Sequence, residues 1–212
     1  MSSPEEPRRA PYDTSLWPQI DFGPQGSIFA IGVIAMTYYL LEGVLRSVFT
    51  ATLEMPRDRG SVIFHRIQND VRLAIIKDVA TQRKLPPPLL IRLDHFTSGF
   101  AICADNRNAL LHSGSSYPFW SRAIPETVDE LPLTRRTRSG EVLHINVDET
   151  VLRRVATEMM GLNGFGGALY GHIPTPFPLD FEPVPPLPDI PELPFALDYR
   201  SQQHGPKPTP RP

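Results

Sequence analysis

The stretch Asp105-Asn106-Arg107-Asn108-Ala109-Leu110-Leu111-His112-Ser113 holds more usable chemistry than any other short segment of the chain. It closes an amphipathic run that begins near Leu89, just after Pro86-Pro87-Pro88. Proline disfavours helix in the residue before it but fits a first helical turn, so the run is predicted as one helix from about Leu89 to His112. On that helix Asp105, Asn108 and His112 share a face at i, i+3 and i+7. Arg107 lies about 140° from His112 and joins it only by wrapping its long side chain. Ile102, Cys103, Ala109, Leu110 and Leu111 form the apolar stripe. This is the pattern of a core helix whose end carries a small polar site.

Three more helices are expected around it. Ile31, Ile34, Tyr38, Leu41, Leu45 and Val48 recur at three and four residues, predicting a first helix from Ser27 to about Glu54, ended by Met55-Pro56. Arg57-Asp58-Arg59-Gly60 reads as a turn, with Ser61 capping a second helix from Val62 to Lys84. Its charges, Arg66, Asp70, Arg72, Lys77 and Asp78, read as a solvated face. A fourth helix starts at Asn146 or Asp148, with Asn146 and Glu149 placed as a capping box, and carries Val151, Val155, Met159 and Leu162 inward. It weakens over the glycines from Gly161 to Gly167.

Between the third and fourth helices the period changes from helical to two. Leu131 to Val147 reads as a hairpin turning at Ser139-Gly140, with Arg135, Arg136 and Arg138 on its first arm. The predicted fold is therefore mainly α, a four-helix up-and-down bundle with a small β-hairpin insertion. Its boundaries are a flexible lead over residues 1–18, the helical domain over 19–172 and a proline-rich extended tail over 173–212.

Bulk properties narrow the function. The chain has 212 residues, a net charge of −2 and one cysteine. That excludes coating nucleic acid through general positive charge, so any RNA contact must be local. Eighteen of the 21 basic residues are arginines, which suit phosphate forks. Cys103 has no partner for an internal disulfide and is expected to pack as a small apolar residue in a reducing, cytoplasmic setting. No charged-then-apolar signal pattern opens the chain. Ile28 to Leu41 is apolar or small throughout, yet falls short of the roughly 20 residues that span a bilayer, so a buried core helix is expected and no membrane partner. No cysteine pair or His-x-x-x-His spacing suggests zinc, and no phosphate loop ends in Lys-Ser or Lys-Thr, so neither metal nor cofactor is expected.

Three Arg/His pairs have four or five residues between them: Arg59 with His65, Arg107 with His112, and Arg138 with His144. Only the middle pair has Asn after the arginine, a long amphipathic helix before it and a Ser-Gly stop after it. Arg107-Asn108-Ala109-Leu110-Leu111-His112, near the end of a third bundle helix, resembles the motif of the HEPN superfamily. That motif is an arginine, four to six intervening residues and a histidine, and the resemblance covers roughly residues 20 to 172. It implies a metal-independent endoribonuclease, pairing as a homodimer that brings Arg107 and His112 of both subunits to one phosphate. It also implies a toxin–antitoxin, phage-defence or stress-response setting, with a cognate antitoxin or regulatory protein as partner.

The chemistry of the residues suits that role. RNA carries its own nucleophile, the 2′-OH, so cleavage needs a group that takes its proton, positive charge beside the phosphate and a donor for the leaving 5′-oxygen. A histidine, with an ordinary pKa near 6.5, exchanges protons at neutral pH. A permanently charged arginine holds a phosphate with paired donors. Asn108 would orient either one, Asp105 would hydrogen-bond His112, and Arg135, Arg136 and Arg138 would track the RNA backbone. The rival reading is a non-catalytic interaction or RNA-binding module that uses the bundle and a protein partner for the proline-rich tail. A third is a nucleotide-sensing relative that binds without cutting.

Overall fold

A computed structural model describes residues 25–115, 130–136 and 142–173. The lead over 1–18, nearly all of the tail, Arg138 and the Ser139-Gly140 turn lie outside the described residues. The described chain is mainly helical: α1 (Gln25–Thr52), α2 (Arg57–Phe64), α3 (Asn69–Gln82), α4 (Pro87–Leu111) and α5 (Glu149–Tyr170), with β1 (Gly114–Ser115), β2 (Glu130–Arg136) and β3 (Val142–Asp148) between the last two.

The expected second helix is two helices. Arg57 to Gly60 is not a turn; it begins α2 directly after Pro56, and Ser61 lies inside that helix. Asp58 sits in the first turn, where the exposed N–H groups favour a carboxylate. Gly60 is buried with its Cα facing Thr50, where a Cβ would fall 2.2 Å from the Thr50 methyl. A glycine that breaks a sequence pattern is here the means by which α2 lies close against α1.

That split changes the course of the chain. Phe49 stacks edge-on with Phe64, and Arg46 reaches His65, so α2 runs back along the end of α1. After the elbow at 65–68, Asn69 meets Tyr38, Arg72 meets Glu42, and Arg83 meets Ala51 and Thr52. Contact positions rise together, so α3 runs parallel to α1. Tyr38 touches Phe100 and Arg107, whereas Val44 and Phe96 both face Gly166, so α4 is antiparallel to α1. Gly26 lies against Glu149 and Val44 against Gly166, which makes α5 parallel to α1. The four long helices therefore do not alternate as an up-and-down bundle would. The return stroke is α2, too short to count as a bundle helix.

The first helix ends in a clamp. Arg83 donates from Nη1 to the carbonyls of Ala51 and Thr52 at 3.1 and 2.9 Å and pairs with Glu54. Glu54 itself stands at φ 53°, the left-handed conformation that closes helix ends. The cap of α5 is Asp148, whose Oδ1 accepts from the Val151 N–H at 2.7 Å, and not an Asn146–Glu149 box. Glu149 pairs forward with Arg153 instead. The glycines from Gly161 to Gly167 do not end α5, which continues to Tyr170 because Leu162, Phe165, Gly166 and Leu169 are buried on its inner face.

The core is the set of inward stripes: Ile34, Leu41, Leu45 and Val48 of α1, Phe96 and Phe100 of α4, and Leu152, Val155, Met159 and Leu162 of α5. Burying side chains of this size supplies roughly 1.5–3 kcal/mol each, the main stabilising term. Cys103 packs here as expected, and burial pushes its thiol up to about 12. At Gly166 a Cβ would sit 2.3 Å from the Phe96 ring and 2.8 Å from Val44. Gly166→Ala is therefore expected to lose about 1–2 kcal/mol by overpacking, despite alanine's better helix propensity. Gly167→Ala, with nothing described within 4 Å, should be neutral or stabilising. Urea unfolding of the two variants checks the contrast, and equal midpoints would show that Gly166 has room.

His95 on α4 is held edge-on against Phe165 at 5.7 Å, and its Nε2 is buried with no hydrogen-bond partner among the described residues. Burial lowers its pKa, while neighbouring Asp94 acts in the opposite direction. With the folded pKa below the unfolded one, the unfolded chain takes up the proton first as pH falls. Stability is intact above about pH 6.5 and is lost on acidification toward the folded value. Urea midpoints should drop between about pH 7.5 and pH 5.5, and less so in His95→Leu; the same drop in both proteins would remove His95 as the cause.

Candidate functional site

The polar residues at the end of α4 are set by where the helix stops. His112 is the first residue past it, with φ −102° and ψ 4°, and its backbone N–H bonds the Asn108 carbonyl at 3.1 Å. Its ring is exposed and has no hydrogen-bond partner among the described residues. Ser113 turns its hydroxyl back onto the Ala109 carbonyl, and Gly114-Ser115 then becomes β1.

Arg107 is half-buried and faces the bundle. Its Nη1 donates to Asn108 Oδ1 at 2.9 Å, and its guanidinium carbon stands 5.4 Å from the centre of the Tyr38 ring. Asn108 thus orients Arg107, one of the two roles open to it. The remaining guanidinium N–H groups meet no acceptor among the described residues. Asp105 is half-buried, and no hydrogen bond joins it to His112. The i, i+7 spacing put them on one face, but the helix ends at Leu111, and the backbone of His112 departs from the helical path.

The sheet brings a second group to the same end. β1 pairs with β2 so that Gly114 lies opposite Thr134 and Ser115 opposite Leu133. Arg135 and Arg136 follow Thr134, so their backbone lies at the end of β2 nearest His112. β2 then pairs antiparallel with β3 from Glu130↔Asp148 to Arg136↔Val142. Leu131, Leu133 and Val147 are buried, tying the sheet to the core, while Val142 and Asn146 are exposed.

A network absent from the sequence reading lies beneath. Arg72 is 8% exposed and does not belong to a solvated face. Its Nε donates to the Phe64 carbonyl at 2.8 Å, its Nη1 to Glu42 at 3.1 Å and to Asn69 at 2.5 Å, and its guanidinium stacks 3.9 Å from the Phe64 ring centre. Asn69 in turn donates to the Tyr38 hydroxyl at 3.2 Å. Burial, then the Glu42 charge, raises the Tyr38 pKa, so the phenol stays protonated at neutral pH. One chain of contacts therefore runs from Glu42 through Arg72, Asn69 and Tyr38 to Arg107 and Asn108. The signal that could have revealed it is Glu42, a carboxylate interrupting the apolar face of α1. A carboxylate partly withdrawn from water favours a cation beside it, and here a neighbouring helix supplies one.

Among the described residues no three His, Cys, Asp or Glu side chains gather as metal ligands. The segment Gly26–Thr52 is long and apolar enough to cross a membrane by length and composition, with a third of its most apolar window buried. The apolar helix therefore does not fall short of a bilayer span as expected from Ile28–Leu41, because it continues past Glu42 to Thr52, and only one face of it is buried, against α3, α4 and α5. No protein-family model, curated protein or solved structure matches the chain.

Proposed function

We propose that the chain is a HEPN-like, metal-independent endoribonuclease, acting in the cytoplasm as a homodimer, with Arg107 and His112 as the working pair. In this reading α1, α3, α4 and α5 are the bundle helices and β2–β3 the inserted hairpin. The observation that carries it is the end of α4. An exposed imidazole with no hydrogen-bond partner among the described residues stands one and a half turns beyond an arginine already oriented by Asn108 and Tyr38, and the backbone of Arg135 and Arg136 follows Thr134 on β2.

The reaction is transesterification. His112 takes the proton of the 2′-OH, the 2′-oxygen bonds to phosphorus, and the bond to the 5′-oxygen breaks. The products are a 2′,3′-cyclic phosphate and a free 5′-OH. Arg107 neutralises the charge that grows on the phosphoryl oxygens. One imidazole does not readily give and take a proton in a single pass. A second subunit answers this, with His112 of the partner subunit protonating the leaving oxygen. A neutralising partner and a toxin, phage-defence or stress-response setting belong to the same proposal.

The test is incubation of the purified chain with single-stranded and structured RNA in EDTA, beside a folded Arg107→Ala/His112→Ala double variant. Cyclic-phosphate ends from the wild type alone support the reading. Intact RNA in every tube leaves the non-catalytic interaction module in its place.

A further inference from the structure

The outward face of α1 is unlike that of any other helix here. No Asp, Glu, Lys or Arg occurs between Ile28 and Leu41, and Phe29, Met36 and Tyr39 are 68, 65 and 70% exposed. Val44 and Gly26 mark the side of α1 that meets α5, and Phe29, Met36 and Leu40 lie just beyond it on the helix surface. On α5 the matching flank carries exposed Met160 and then Gly164 and Gly167, where no described atom comes within 4 Å of a built Cβ. The two helices thus share an apolar strip with a shallow floor, bounded at the start of α5 by the Glu149–Arg153 ion pair. A soluble surface rarely leaves such a strip uncovered.

The strip leads to the point where the described chain stops. α5 runs parallel to α1, and the chain leaves it through Gly171 and the buried Ile173, at the end of α5 beyond Gly167. Thirty-nine residues follow. The first 26, Pro174 to Tyr199, hold nine prolines, ten large apolar side chains from Phe177 to Tyr199, five acids and no Lys or Arg. As polyproline II they would reach about 80 Å, against about 42 Å for α1, so length permits a return along the whole strip. Prolines lower the entropy lost on docking, and exposed aromatics such as Phe29 and Tyr39 suit proline-rich chains. After Met1, residues 2–24 hold half as many large apolar residues, namely Tyr12, Leu16, Trp17, Ile20 and Phe22. The acids of the tail would repel an anionic bilayer brought to the same place.

We propose that residues 174–199 fold back as an intramolecular strap over the α1/α5 strip, covering Phe29, Met36, Leu40 and Met160. This is independent of the nuclease reading. The test places a benzoylphenylalanine photocrosslinker at Met36 or at Met160 in the full chain, in an equal mixture of ¹⁴N- and ¹⁵N-labelled protein with phosphatidylcholine/phosphatidylglycerol vesicles present. Crosslinks to 174–199 between like-labelled peptides only are the expected result. Mixed-label pairs, crosslinks to residues 1–24, lipid adducts or no crosslink each overturn the strap. A second full-length variant, with Phe177, Phe181, Phe195 and Tyr199 changed to Ser, should lose the crosslink and bind several-fold more of an apolar dye. Unchanged dye binding in that folded variant also overturns it.

Discussion

Arg107→Ala and His112→Ala are each expected to slow RNA cleavage by at least about 100-fold while the protein stays folded. The separation of effects follows from position. His112 is exposed past the end of α4 and supports no described packing, so its removal should leave the thermal midpoint within a degree or two. Arg107 gives up one hydrogen bond to Asn108 and a ring contact with Tyr38. That is worth about 1 kcal/mol at most, because the side chain is half-exposed. Arg107→Lys keeps the charge but loses the planar fork, so it should retain an intermediate rate. Initial rates in EDTA with circular dichroism on the same samples decide the matter. A His112→Ala protein that cleaves like the wild type ends the proposed role of the imidazole.

Arg72→Ala should be the most damaging single change to stability, by about 3 kcal/mol. Three acceptors lose their donor at once: the Phe64 carbonyl that ends α2, Asn69 at the start of α3, and Glu42 on α1. Glu42 is about a third exposed, so water rescues part of its charge, and the ion pair itself is the smaller share. The larger share is the elbow between α2 and α3, whose two ends meet on this one guanidinium. With a urea slope of about 2 kcal/mol per molar, the midpoint should fall by about 1.5 M. A shift below about 0.3 M would mean that the elbow is held by its apolar contacts alone.

Much of the helical content was legible because burial imposes a period. The inward stripes of α1, α4 and α5 appear in the sequence at three- and four-residue spacing and are buried in the structure. The prolines at 86–88 marked the start of α4 because a missing N–H can only be tolerated in a first turn. Gly60 misled for the opposite reason. In sequence it resembles a loop residue, and only the nearness of Thr50 shows that it sits in a helix where a side chain would not fit. Arg72 misled because its neighbours in sequence are charged and exposed, while the Glu42 and Phe64 groups that draw it inward come from other helices.

The end of α4 was partly legible too. Arg107, Asn108 and His112 were identifiable from residue type and spacing, but the wrapping of Arg107 onto Tyr38 was not, since it depends on a helix some 70 residues earlier in the chain. Nor was the pairing of Gly114 with Thr134, which sets the end of β2 that carries Arg135 and Arg136 toward the end of α4 through a two-residue strand.

By itself the sequence determined the courses of α1, α4 and α5, their inward faces and which side chains bring proton exchange and fixed positive charge to one helix end. These are properties of local period and residue chemistry. Only the tertiary structure decided the direction of each helix, the burial of Arg72 and the company kept by Arg107. Each depends on contacts between residues far apart in the chain, and the free energy of burying a charge is set by its neighbours in space.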